Sequence, residues 1–565
     1  MKRWLFTLVF ALTSLPVLAA PSVWLEPSLV RIGREAPAKT VPALDVYAAN
    51  GEMESFQVAV RGPATNVRLV LPASPDLVLS AYVERYIYAK GSGSWASQTN
   101  KPGGPGWYAD GLEPVNASLS VAEGRVQPFW TDVAVARIAS AGRRTLPVQV
   151  VSDQGTVNLS VNLTVWDFVL PLKPALKSAF MAWGTRKLAQ PDRLLLEHRL
   201  NPYLLDKSAE PTLMATLGLQ SSHLGFFSET STAINAPPSK TTLQAAIAAH
   251  PAGLYLYNYT ADEITGKTAY YPRLKEWHRA LSPLGVDQAI TMVPATDLFD
   301  DGTGKPAVDV WILLPKQDQN SRALVDQALA KGCRAWSYNC LNQDDYSPKW
   351  LLDFAPINYR IQPGFTNFSR GLTGLLYWSV DKWTADPWTD AGTGQQGDGM
   401  LVYPWPKGST TTTTPSIRLK WLRDGVDDYD YLMLLKAKDP AKAKLLSSSV
   451  ALDWKTWTRD VNLLESTRRQ IGDALSPPPP IDTLSLTAQA SVPAVGLTAT
   501  AGDSLGHAVS YSWDDGGAGG TFNSATLRQP DYLPPKGPKT ITLTVRATCA
   551  GGKTATATIA LNVPG

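Results

Sequence analysis

Gly253-Leu254-Tyr255-Leu256-Tyr257-Asn258-Tyr259-Thr260-Ala261-Asp262-Glu263 is an apolar, aromatic run that stops on two acids. Thr265-Gly266 breaks the chain, and a helix-like segment comes next at 271–281. A short apolar strand that ends in polar residues and feeds a helix is the repeating unit of a parallel α/β fold. The same alternation extends outward on both sides. Helix-like segments at 242–250, 271–281 and 319–331 alternate with apolar strands at 254–259, 288–292, 308–314, 335–338 and 374–379. Over about 300 residues this pattern fits a (β/α)8 TIM-like barrel spanning 173–475. A doubly wound open sheet shares the local signature, but no glycine fingerprint opens a helix directly after a strand.

The flanks read differently. From 21 to 172, short alternating runs such as Phe56-Gln57-Val58-Ala59-Val60 are broken by Pro, Gly and Asn, the pattern of an antiparallel β-sandwich. Ser476-Pro477-Pro478-Pro479-Pro480 is a stiff spacer at 476–480. Beyond it, 481–565 alternates again around Trp513 and reads as a small immunoglobulin-like or PKD-like sandwich. The Thr-rich run at 409–414 is a loop inside the central unit. The chain is therefore read as multidomain, with 565 residues to distribute.

At the start, Lys2-Arg3, an apolar run and Val17-Leu18-Ala19 form a signal-peptide pattern over 1–20. A membrane anchor is the competing reading, but about 15 apolar residues are short for a span. The expectation is a secreted, periplasmic or cell-surface protein with no integral membrane segment after signal removal. Charged residues make up 18% and the net charge is +3, so no strong field points to nucleic acid. The three cysteines, Cys333, Cys340 and Cys549, do not make a disulfide scaffold. Cys333 and Cys340 could pair, although three free thiols is the preferred reading. The five histidines stand singly, with no HxH, HExxH or Cys-x-x-Cys set, so neither a metal nor another cofactor is expected.

Chemistry is sought at strand C-terminal ends, the active-site face of such barrels. Asp262 and Glu263 stand there, and two carboxylates can do acid–base work on a glycosidic bond. Adjacent side chains on a regular strand face opposite ways, so both serve one pocket only if the backbone leaves β geometry. An acidic turn or helix cap is the plain alternative. Neighbouring acids on one loop approach a sugar from one side, which suits a mechanism in which a substrate acetamido group supplies the nucleophile. Trp336, Tyr338, Trp378, Asp381 and Trp383 cluster at further strand ends, with Trp183 after the first barrel strand; these are candidate sugar-binding residues, or a rim of packed rings.

Several separated segments resemble glycoside hydrolase family 123. They are Gly51-Glu52-Met53-Glu54-Ser55-Phe56-Gln57, Val165-Trp166-Asp167-Phe168-Val169-Leu170-Pro171, Asp309-Val310-Trp311, Trp336-Ser337-Tyr338-Asn339-Cys340, Tyr377-Trp378-Ser379, the stretch from Gly397-Asp398-Gly399 to Tyr403-Pro404, and 418–432. The resemblance implies β-N-acetylgalactosaminidase activity on a glycan partner. It also implies Glu263 as general acid/base and Asp262 as the group that orients the 2-acetamido substituent. Ile264 stands where relatives often carry proline, and Trp405 where glycine is common. The segment 418–432 reads as an amphipathic helix whose acids are structural ion-pair or capping partners. For the C-terminal unit three roles stay open: binding glycan, spacing the rest from a surface, or stabilising the chain.

Overall fold

The computed structural model describes residues 20–93, 99–183, 190–341, 344–392, 396–409, 412–476, 481–490, 495–503, 508–549 and 553–563. The N-terminal export pattern and Pro477–Pro480 of the spacer lie outside these residues.

Ten strands come first: β1 (Ser22–Pro27), β2 (Ala43–Asn50), β3 (Met53–Arg61), β4 (Ala64–Val70), β5 (Leu77–Ala89), β6 (Gly106–Pro114), β7 (Leu119–Val121), β8 (Val126–Val135), β9 (Gly142–Ser152) and β10 (Gly155–Val169). They form two five-stranded sheets, ordered β1-β3-β8-β5-β6 and β2-β10-β9-β4-β7. Val58 and Phe129 of one sheet share an apolar cluster with Val148 and Leu163 of the other, which is why alternation of period two recurs along these strands.

Seven parallel strands come after them: β11 (Lys177–Phe180), β12 (Ser221–His223), β13 (Tyr255–Ala261), β14 (Asp287–Thr291), β15 (Val310–Leu313), β16 (Arg334–Asn339) and β17 (Gly374–Tyr377). Their order is β11-β17-β16-β15-β14-β13-β12. The remaining gap holds Asn201–Tyr203, which joins β11 by a single parallel bridge between Phe180 and Pro202. On the β12 side the Gln220 N–H reaches only the Asn201 side-chain oxygen, 3.0 Å away. The expected eight-stranded barrel is thus nearly closed, with seven strands and one bridge. Pro202 has no N–H to extend a ladder there. Gly374 lets the Trp336 ring lie against the neighbouring strand, since a Cβ would meet that ring at 2.4 Å.

The helix Ile417–Lys438 is buried at every position from 417 to 432, so it is not amphipathic as expected. Its charges are paired, some across the boundary between the first sheets and the barrel and others within the barrel unit. Arg418 forks onto Asp110 with two 2.8 Å bonds, Lys420 reaches Asp132 at 2.6 Å, and Asp428 receives Arg360 at 2.7 and 3.0 Å. Buried ions are tolerated only when paired in this way. After the barrel, strands between Ile481 and Val563 form a four-stranded and a three-stranded sheet. Leu497, Trp513, Tyr532 and Leu543 share one cluster between them. No disulfide joins Cys333, Cys340 and Cys549, and no helix among the described residues is long and apolar enough to cross a membrane.

Candidate active site

β13 leaves regular geometry just before its acids. Tyr259 pairs with Ala289 and Ala261 with Ile290, so Thr260 is an extra residue in the ladder. Such a bulge re-aims the side chains immediately after it. Two residues past Ala261, Glu263 adopts φ +47°, a left-handed conformation that costs a non-glycine residue free energy and needs outside support. The support comes from Thr291 at the end of β14. Its hydroxyl accepts the Glu263 N–H at 2.8 Å and donates to Asp262 Oδ1 at 2.5 Å.

Each carboxylate is held by a phenol rising from the barrel interior. Tyr259 donates to Asp262 Oδ1 at 2.6 Å, and Tyr338 of β16 donates to Glu263 Oε1 at 2.8 Å. Burial, reinforced by the carboxylate each one faces, pushes both phenols well above their ordinary range. They therefore stay protonated as fixed donors. Glu229 accepts the Asp262 N–H at 2.8 Å and pairs with Lys267 at 2.7 Å, pinning the turn from outside. Both acids keep exposed surface.

Asp262 opens onto a cavity of about 320 Å³ lined also by Met181, Trp183, Tyr203, His223, Phe227 and Tyr259. Trp183 and Phe227 are 53% and 50% exposed, offering flat apolar faces beside the carboxylate. Asp262 is the one acid among the described residues lining this cavity. No group of three His, Cys, Asp or Glu residues that could hold a metal occurs among the described residues.

The sequence candidates separate into different positions. Asp262 and Trp183 line the cavity; Glu263 is the next residue on the same turn and is not among the lining residues. Tyr338 is buried and touches Glu263. Trp336 is fully buried in the barrel interior, edge-on to Tyr257 at 5.5 Å, and presents no face to a sugar. Its sugar-binding assignment is corrected to a packing one: it lies two residues before Tyr338, on the same side of β16 but one layer deeper. Asp381 is also buried, accepting the Trp183 backbone N–H at 3.0 Å. Trp378 receives the Trp183 indole N–H on its carbonyl at 2.7 Å and directs its own to Asp398 at 3.2 Å. Trp383 donates to the Val402 carbonyl at 2.7 Å. Asp381 and Trp378 therefore hold the Trp183 platform, and Trp383 braces the rim. Sequence reasoning missed Tyr203, Phe227, Tyr259 and Thr291. Thr291 and Phe227 lie at or just beyond strand C-terminal ends, so the strand-end rule applied to every strand would have reached them.

Residues 278–435 match the family model described as glycoside hydrolase 123, catalytic domain; the acid pair lies just upstream of that segment. The structure of a family 123 glycoside hydrolase from Clostridium perfringens, described for glycolipid glycan hydrolysis, is similar with a TM-score of 0.58 at 14% identity. That likeness covers 81% of this chain and 98% of the other. A family 39 glycoside hydrolase from Bacteroides cellulosilyticus covers 88% of this chain and 99% of its own at 10% identity, but its TM-score of 0.29 carries no argument. No curated protein matches the sequence.

Proposed function

We propose that this glycoside hydrolase family 123-like protein cleaves β-linked N-acetylhexosamines, N-acetylgalactosamine foremost, with retention and with the substrate's own acetamide as nucleophile. The supporting observation is that Asp262 lines a cavity with no second acid among the described residues lining it, while Glu263 follows Asp262 on the same turn. A protein nucleophile would need a carboxylate facing the acid across the sugar. In the first step Glu263 gives its proton to the glycosidic oxygen as that bond to the anomeric carbon breaks. The acetamide oxygen bonds to the same carbon, giving an oxazolinium-like intermediate. Asp262 accepts the acetamide N–H through the oxygen that Tyr259 and Thr291 leave free, stabilising the positive charge. In the second step Glu263, now a carboxylate, takes a proton from water as its oxygen attacks the anomeric carbon, restoring the acetamide. Trp183 and Phe227 provide the apolar walls for the ring. The export pattern at the N-terminus supports action outside the cytoplasm.

Glu263→Gln tests the assignment on aryl β-N-acetylgalactosaminide, aryl β-N-acetylglucosaminide and plain aryl β-galactoside. Turnover of the acetamido substrates is expected to fall by roughly 10²–10⁴-fold with binding nearly kept. An unchanged rate would remove Glu263 from the chemistry. Hydrolysis of the plain galactoside alone would remove substrate assistance.

A further inference from the structure

Among the described residues only two tryptophans are exposed: Trp183 at the cavity and Trp107 on β6, at 45%. Trp107 stands between two hollows of about 260 Å³ each. On one side lie Glu84 and Tyr86 of β5 with Gln127. Glu84 is 0% exposed, yet neither of its carboxyl oxygens has a hydrogen-bond partner, and the buried Tyr86 hydroxyl is equally unpartnered. On the other side lie Arg31, Tyr108 and Asp353. There Nε and Nη2 of Arg31 and Oδ1 of Asp353 are buried without partners. Folded proteins leave few such atoms, and a water or a ligand hydroxyl can supply the missing partner.

Acceptors and donors on either side of an exposed ring are what a sugar unit fits. Its hydroxyls both donate and accept, and its C–H face lies on an aromatic plate. Burial pushes the Glu84 carboxyl up to about 8, so near neutrality it is protonated and can donate as well as accept. Arg34, Arg85 and Arg125 also line the hollow beside Glu84, but Arg85 and Arg125 are already paired with Glu113 and Glu35, so an added anion would find only Arg34 uncommitted. The Arg34 guanidinium stands 4.6 Å over part of the Trp107 ring and forms no ion pair among the described residues, so a ligand can displace it without stranding a carboxylate. We infer that Trp107 and the hollows beside it form a second, non-catalytic subsite for a neutral sugar unit, with Glu84 and Tyr86 as its hydroxyl partners. The subsite lies where the first sheets meet the segment around Asp353, apart from the residues around Asp262, and holds a glycan chain by a second point.

The full chain is tested by retention on agarose-immobilised N-acetylgalactosamine and on colloidal chitin, beside hydrolysis of an aryl β-N-acetylgalactosaminide. Trp107→Ala is expected to weaken retention on at least one support by about tenfold, and Glu84→Leu, which removes the donor and both acceptors, by several-fold, while kcat/KM on the small substrate stays within about twofold. Both variants are checked for an unchanged circular-dichroism spectrum. Retention of Trp107→Ala equal to wild type on both supports would overturn the subsite. So would complete loss of retention in Trp183→Ala alone, which would assign all binding to the cavity at Asp262. Retention is read without turnover, so this result stands apart from the outcome at Glu263.

Discussion

Replacing Thr291 with valine removes one hydroxyl and keeps the shape of a side chain that is 1% exposed. That hydroxyl donates to Asp262 Oδ1 at 2.5 Å and accepts the Glu263 N–H at 2.8 Å, so one substitution loosens both acids. A hydrogen bond to a charged group contributes about 1.5–3 kcal/mol. The left-handed residue it supports carries a strain of roughly 1–3 kcal/mol. If the bond to Asp262 is felt mainly in the transition state, its loss lowers kcat/KM by roughly 10- to 100-fold, at about 1.4 kcal/mol per decade. The fall should appear in kcat more than in KM, because the ring walls formed by Trp183 and Phe227 are untouched. Initial rates on an aryl β-N-acetylgalactosaminide measure it, with a thermal melt to confirm folding. Thr291→Ser retains the hydroxyl and should recover most of the loss. A folded valine variant within about threefold of wild type would show that the acids are placed by something other than β14.

Arg418→Ala should be strongly destabilising, because it leaves Asp110 at 0% exposure without its guanidinium partner. A loss of about 3–5 kcal/mol, read as a lower denaturant midpoint for the transition of the first sheets and barrel, is the expectation. An unmoved midpoint would mean that the pair does not join them. Glu84 sets a pH dependence. Its carboxyl binds a proton up to about pH 8 in the folded chain, against an ordinary value of 4.5. The folded state therefore holds more protons than the unfolded chain across that window, and stability falls as pH rises from 4.5 to 8. Glu84→Gln removes the effect, so its melting temperature should gain on wild type progressively through that interval; parallel curves would contradict the assignment.

The barrel and its acids were legible in sequence because both depend on local signals. An apolar strand ends in Asp262-Glu263, a glycine break comes next, and helix patterns recur at suitable spacing. What required structure was the direction of each ring. Trp336 and Tyr338 point to the same side of β16, yet one packs the interior and the other reaches Glu263. No local pattern states how deep a strand residue sits. The helix Ile417–Lys438 misled for a related reason: its lysine and arginines resemble a solvated face, while Asp110 and Asp132, which pair with them, lie about 300 residues upstream. The reduced eighth strand was hidden because Asn201–Pro202 carries one bridge and too little apolar sequence to read as a strand.

Two adjacent acids are an awkward catalytic device on a regular strand, and the way this chain overcomes that explains which parts tolerate change. The extra residue at Thr260 and the left-handed Glu263 take the pair out of β geometry, but neither conformation is self-supporting. The restraint comes from β14, through both the hydroxyl and the carbonyl of Thr291. The carbonyl accepts the Ile264 N–H at 3.2 Å, a bond that a proline at this position could not make. Tyr338 adds a hold from β16, three strands away from β13 in the sheet. On the proposed function, substitutions at the rim, where Trp183 and Phe227 stand in solvent, should alter which sugar is held. Substitutions at Thr291 or Tyr338 alter whether the acids act together at all, although neither residue need touch the substrate.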